Sequence, residues 1–406
     1  MFQTFLLALV LFPRRQLIDD ALARNPELLA ARERIEAARQ RPAVERALPD
    51  PMVSVGYASV GGPLPGQGLG TAAMSRIGLM ASQTLPGAGK RGLSDAVARQ
   101  EARTTEQEYE MLRLSVVARV KTAWHRLHHA YEMEDLARRT RALVENALRA
   151  GEARYAVGKA SQQELLRSQT QLIVIETKLV HYGRERRSRE AELNTLAARL
   201  LSSPIPRPVV IEPRELTVPV ESLLDLVRGR SPTVLVEQRK VERNELALRL
   251  ARKDGATDYT VSAGYYTMGS MGSLVEAKLD FTLPWFSRAR QRAASAGQAH
   301  ALAEARRTYQ AASSTLVYRV EDDYLASREA WQLLNLATTA LLPQARRALD
   351  SALAAYETGQ GDFASVWMNV LALVEAEESR HDAWLEYDLA LIGLEEATGR
   401  ELLREE

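Results

Sequence analysis

Apolar positions recur along this chain with two periods. Between 275 and 283 they alternate strictly: Val275, Ala277, Leu279, Phe281 and Leu283 fall on one face, Glu276, Lys278, Asp280 and Thr282 on the other. That is the pattern of a β-strand with one apolar and one polar face. Three further strands are expected near 52–60, 74–85 and 259–268, the first two joined by the Gly/Pro-rich GGPLPGQGLG, and the alternating strand covers 274–283. Elsewhere the period is helical. Helices are expected over 19–46, 90–157, from the break at Gly158 to about 201, over 221–253, over 286–357, and over 362–400 after a break at Gly359. A helix of ~70 residues extends ~100 Å at 1.5 Å per residue. The long helices carry seams that step by four and three, as in coiled coils. One seam is Val116, Val120, Ala123, Leu127 and Ala130; the other is Val320, Tyr324, Ser327, Trp331, Leu334, Thr338 and Leu341. Pro343 is expected to kink the second long helix.

The same order of elements occurs twice. VSVGY at 53–57 returns as VSAGY at 261–265, Leu85-Pro86 as Leu283-Pro284, and Val117, Arg119 and Val120 as Val317, Arg319 and Val320. Tyr155 and Gly158 return as Tyr356 and Gly359, so the chain reads as a tandem repeat of about 200 residues. The repeats are 17–200 and 221–400, followed by a tail at 401–406. Between them Pro204, Pro206, Pro208, Pro213 and Pro219 define an extended linker at 201–220.

Composition narrows the function. Lys and Arg number 53 against 52 Asp and Glu, a formal charge of +1, which gives no pull toward nucleic acid. Cysteine is absent, which removes disulfides, thiolate metal sites and cysteine nucleophiles. No apolar run reaches the ~18 residues of a membrane-spanning helix. Phe5–Phe12 has the length of a signal-peptide core but lacks a basic residue before it. Residues 1–16 therefore read either as a degraded export signal or as an ordinary buried N-terminal segment. His125, His128 and His129 share one helix, and a pair four apart can bind zinc. No carboxylate constellation completes a catalytic site there, so a polar stripe is the plainer reading, and no metal site is expected. GRERRSREAE at 183–192 alternates in sign, as a solvated helix face does. No nucleophile elbow, phosphate loop or paired-carboxylate motif is present, so no enzyme is expected.

The strands admit two readings. An alternating strand lines a sheet over a soluble core, or it crosses a bilayer with lipid on one side and water on the other. About 9–11 residues suffice for a tilted crossing, and Tyr259, Tyr265, Tyr266 and Trp285 could supply interfacial aromatics. The soluble reading is a coiled-coil scaffold with a small β cap, but its thin helices provide little core to cover a sheet. The barrel reading leaves four strands per chain with two open edges, so chains must assemble to close it. Glu276, Lys278 and Asp280 then face a water-filled lumen. At the helix breaks, Gly158 and Gly359 permit the left-handed conformation of a sharp turn, and Ser161 and Asp362 stand where N-caps are wanted.

A resemblance covers nearly the whole chain from residue 17 onward. LARNPELLAARERIEAARQ (22–40), QTLPGAGKRG (83–92), YAVGKASQQELLRSQTQL (155–172), TLPWFSRARQRAA (282–294) and LLPQARRALDSALAAYETGQGDFASVWMNVLAL (341–373) are similar, in kind and order, to the TolC family of outer-membrane efflux channels. The resemblance implies an α+β membrane protein: a homotrimer whose 12-stranded β-barrel, four strands per chain, continues into a 12-helix periplasmic coiled-coil barrel. Such a protein lies among outer-membrane lipid in a Gram-negative bacterium, with a periplasmic extension, and needs no cofactor. It is the passive exit duct of a tripartite efflux system, with a periplasmic adaptor (a membrane fusion protein) and an inner-membrane pump of the RND type. The turns formed by Tyr155, Val157, Gly158, Lys159, Ala160 and Ser161, and by Tyr356, Thr358, Gly359, Gln360, Gly361 and Asp362, become the tips that meet the adaptor. PGAGKRG is closest to the heavy-metal branch, implying metal cations as cargo. The family often narrows the tunnel mouth with closely spaced aspartates after the second tip. Here that helix reads Asp362, Ser365, Met368, Asn369 and Glu375, so the usual double aspartate ring is not expected.

Overall fold

The structure is a computed structural model of the 406-residue chain and describes residues 14–158, 161–209, 212–283, 287–358 and 360–402. Residues 1–13 of the proposed export signal, Pro284 and Trp285, and the end of the tail lie outside the described residues. The elements run α1 (14–24), α2 (Pro26–Arg46), β1 (Met52–Ala58), β2 (Arg76–Leu85), α3 (Lys90–Ala156) and α4 (Gln162–Leu196) in the first half. The second half has α5 (Val220–Arg230), α6 (Pro232–Lys253), β3 (Asp258–Thr267), β4 (Ser273–Thr282), α7 (Arg288–Leu336), α8 (Leu342–Glu357) and α9 (Phe363–Thr398).

Two compact units cut across the sequence repeats. One holds the described residues of Met1–Ala31, Tyr109–Val234 and Ser313–Glu406; the other holds Arg32–Glu108 and Leu235–Ala312. The first unit is helical. Its core joins Leu17, Ala21 and Leu28 to Val116, Val120, Ala123, Trp124 and Leu127 of α3, and to Leu193, Leu196 and Ala197 at the end of α4. The predicted α3 seam is this buried stripe, and each large aliphatic side chain in it contributes about 1.5–3 kcal/mol by leaving water. A second cluster sets Val144 and Ala137 of α3 against Ile175 of α4 and Trp367 of α9.

The second predicted seam holds only in part. Val320, Ser327 and Leu334 are buried, but Thr338 and Leu341 are exposed, and Ala337, Leu342 and Ala345 take the inward places. The cause is a π-helical turn over Ala337–Leu341, immediately before Pro343 near the start of α8. Proline has no N–H to give the preceding turn and its ring crowds the carbonyl four residues back. A wider turn relieves that conflict and moves the seam by a residue. Two other expected helices are divided. Asn25 separates α1 from α2: its side-chain oxygen accepts from the Glu27 and Leu28 N–H groups, and its amide donates to the Leu196 carbonyl (3.0 Å). Ser231 separates α5 from α6 because the residue before Pro232 is driven into extended backbone.

The other unit carries the sheet. All four strands are antiparallel in the order β1-β2-β3-β4, so β2 of the first half pairs with β3 of the second, and β1 and β4 are the edges.

Candidate functional site

Register sorts the strand residues into two faces. On one, Val55, Leu79, Tyr265 and Val275 form a row across the sheet, as do Leu85, Tyr259 and Phe281. Val55 and Val275 are each 76 % exposed, and no described residue covers this face. The other face bears Ser54, Met80, Gly264 and Glu276 in one row and Met52, Ser82, Ser262 and Lys278 in the next. Glu276 accepts a short ion pair from Lys278 (2.8 Å) and lies 3.5 Å from Arg76. Asp280 stands opposite Thr260 on the same polar face. The three residues expected in a lumen therefore share one face, away from Val275, Leu279 and Phe281.

Tyr266 corrects the expectation for the aromatics. It is not interfacial but buried on the polar face, with Arg76 4.9 Å from its ring centre. Its bulk explains Gly264 of the second Gly-Tyr pair and Gly78 of β2, whereas a Cβ on Gly56 of the first pair would meet the ring only at an ordinary 3.6 Å. A Cβ on Gly78 would stand 2.6 Å from Tyr266 Cα, and one on Gly264 would stand 2.8 Å from its ring. Tyr259 and Tyr265 remain on the apolar face. The PGAGKRG stretch proves to be a joint between strand and helix: Gly87 N–H (2.6 Å) and Lys90 Nζ (2.9 Å) both donate to Asp258 at the start of β3.

The two helix breaks lie in the helical unit. At the first, Gly158 has φ +71°, the left-handed conformation expected of it, and its N–H donates to Tyr155 O. Ser161 accepts from the Glu164 N–H and caps α4. Tyr155 and Val157 are exposed, Val157 at 66 %. Lys159 and Ala160 lie outside the described residues, as does Gly359 of the second break. There Thr358 donates from its hydroxyl to the carbonyls of Ala354 and Ala355, and the N–H groups of Gln360 and Gly361 converge on Ala355 O. Asp362 caps α9 through the Ser365 N–H (2.7 Å).

Several contacts here have no local signature in sequence. The Arg154 guanidinium lies over the Tyr356 ring, which in turn packs near Phe363. Lys178 pairs with Glu378, and Arg139 and Arg346 both reach Glu377. The ion pairs join the α3–α4 hairpin or α8 to α9, and the Arg154–Tyr356 contact joins α3 to α8. The histidines go their separate ways: His125 meets Asp388 (2.6 Å), His129 meets Asp382 (2.8 Å), and His128 packs edge-on to Trp384. Among the described residues no group of three or more metal-ligating side chains forms. No described helix is long and apolar enough to cross a membrane.

Residues 17–199 match the family described as Outer membrane efflux protein. Among solved structures, the outer-membrane protein VceC of Vibrio cholerae is similar at TM-score 0.80 and 17 % identity over 96 % of this chain and 97 % of that one. CusC is similar at TM-score 0.81 and 15 % identity, over 95 % and 91 %. The CmeC outer-membrane channel of Campylobacter jejuni gives TM-score 0.82 and 17 % identity, over 97 % and 87 %. No curated protein sequence matches the chain. The expected resemblance to the TolC family is borne out: the first half carries the family's sequence pattern and the whole chain its fold. Residues 17–199 thus carry the pattern of the outer membrane efflux protein family, and nearly the whole chain has the fold of solved outer-membrane efflux channels.

Proposed function

We propose that three copies of this chain close a 12-stranded barrel and form the passive exit duct of a tripartite efflux system. The observation that carries this reading is the sheet: one continuous, uncovered apolar face, one polar face with Glu276 and Lys278, and free edges at β1 and β4. Four strands cannot close alone, because the smallest membrane barrels need about eight. A soluble scaffold would need a cover for that face, and no described residue provides it. The turns at Gly158 and Asp362 meet a periplasmic adaptor, for which the exposed Val157 and Tyr155 supply apolar contact at a tightly turned backbone. The adaptor links the duct to an inner-membrane pump of the RND type. Metal cations are the cargo that the likeness of PGAGKRG to the heavy-metal branch supports.

Fractionation tests the reading. The protein is expected in the outer-membrane fraction as an oligomer that dissociates on heating in detergent, and its loss is expected to sensitise cells to metal cations. Recovery in the soluble fraction without detergent would overturn it.

A further inference from the structure

The end of α2 and the start of α3 flank β1 and β2, and the channel reading leaves the residues gathered there unused. Arg91 donates through Nε (2.9 Å) and Nη2 to the main-chain carbonyl of Arg46, the last residue of α2. A cation at a helix C-terminus is favourable, and the contact places Arg91 beside Arg46. Both line one depression with Arg39 and Arg99. Those two are matched, Arg39 by Glu36 and Glu106 and Arg99 by Asp95. Among the described residues, Arg46 and Arg91 have no carboxylate within ion-pair distance.

Arg91 also lines an adjoining open hollow of about 820 Å³. Its walls include Val44, Leu48 and Leu250 together with the carboxylates of Glu45, Asp50 and Asp254, and none of these three carboxylates has an ion-pair partner among the described residues. Val44 and Leu48 are 72 % and 41 % exposed, and the next apolar positions along the chain include Val53 and Val55 on the uncovered face of the sheet.

Two guanidiniums without a counter-ion, carboxylates without a cation, and apolar surface leading to a membrane-facing sheet are complementary to one kind of molecule. We propose that this hollow holds the headgroup of an aminophospholipid. Its phosphate lies on Arg46 and Arg91, since guanidinium groups suit phosphate oxygens in geometry and charge. Its ammonium lies toward the three carboxylates, and its acyl chains pass Val44 and Leu48 toward the sheet. A free phosphate ion would satisfy the arginines but leave the carboxylates and the apolar wall unmatched. The inference rests on the membrane reading of the sheet.

The test uses the full chain in mild detergent, titrated with short-chain phosphatidylethanolamine and followed by native mass spectrometry. Phosphatidylcholine, which has no N–H in its headgroup, and inorganic phosphate are the comparison probes. Phosphatidylethanolamine is expected to bind about tenfold more tightly than phosphatidylcholine, and Arg46→Glu to weaken it by at least about tenfold. Asp254→Asn should narrow the preference for phosphatidylethanolamine. The thermal midpoint of each variant in lipid-free detergent should match that of the parent, which separates a binding role from a structural one. Equal binding by parent and Arg46→Glu overturns the site. Displacement of lipid by inorganic phosphate makes it an ion site, and protection of a Leu48→Cys thiol by a second copy without lipid gives the hollow to a neighbouring chain; either result also overturns it. A chain that inserts and conducts but binds no aminophospholipid loses this inference alone, whereas a chain that never enters membranes loses the channel reading as well.

Discussion

The guanidinium of Arg154, near the end of α3, lies 4.3 Å from the centre of the Tyr356 ring, near the end of α8. The pair holds the two turn-bearing hairpins of one chain together at their ends. A cation over an aromatic face at a partly exposed site is worth about 0.5–1 kcal/mol. A double-mutant cycle with Arg154→Ala and Tyr356→Leu should return a coupling of that size, and additive effects would show that the contact carries no energy.

Gly158 tests the first turn. A Cβ there would meet nothing within 4 Å, so the constraint is the backbone alone, at φ +71°. Holding a non-glycine residue in that region costs roughly 1–2 kcal/mol, and a β-branched residue is the least tolerant. Gly158→Val should leave oligomer and membrane insertion intact while export and adaptor crosslinking fall. Intact crosslinking would reduce Gly158 to a turn residue.

The two faces of β4 should respond differently to the same kind of change. Leu279→Arg places a charge on the apolar face and should cost about 2–4 kcal/mol near the bilayer midplane. Lys278→Ala, on the polar face, should insert normally. Urea-driven release from vesicles measures both, and equal tolerance would count against a lipid-facing sheet.

Acid should loosen the packing of α3 against α9. Burial, with Arg380 beside it, lowers the pKa of His381 to about 4, and burial lowers that of His128. Around these imidazoles stand His125, His129 and Glu132 from α3, and Arg380, Asp382 and Asp388 from α9. Pro208 of the linker also faces His128. Because the folded state favours the neutral ring, its stabilising effect is full above the ordinary histidine pKa of ~6.5. It is lost as pH falls from there toward 4, at a total of up to about 3 kcal/mol for His381. Protection of the α9 amides, corrected for the intrinsic pH dependence of hydrogen exchange, should fall in that window, and His381→Gln should flatten the fall. A pH-independent protection factor would remove the effect.

Much of this fold is legible because its signals are local. Strand alternation at 275–283, the glycine at 158 and the capping side chains Ser161 and Asp362 each act within a few residues, and pattern alone places them. What is not legible depends on partners far along the chain. Thr338 and Leu341 fit a heptad on paper, but the turn forced by Pro343 moves them outward. Tyr266 has the character of an interfacial aromatic, yet Gly264 on its own strand and Gly78 on β2 make room to bury it. Arg154 is an ordinary helix-end cation until Tyr356, some 200 residues later, is folded against it.

Sheets from several chains joined edge to edge can be caught by disulfide trapping. The chain has no cysteine of its own. Within one chain β1 and β4 are separated by three strand spacings, roughly 14 Å, beyond the ~7 Å Cα separation a disulfide tolerates. Paired substitutions such as Ser54→Cys with Lys278→Cys, scanned over neighbouring registers, can therefore bond only between chains. Edge pairing in a closed trimer yields covalent dimers and trimers, and nothing larger, from at least one register in the outer membrane. Monomer alone in every register, under oxidising conditions and with the protein folded in the membrane, would contradict it.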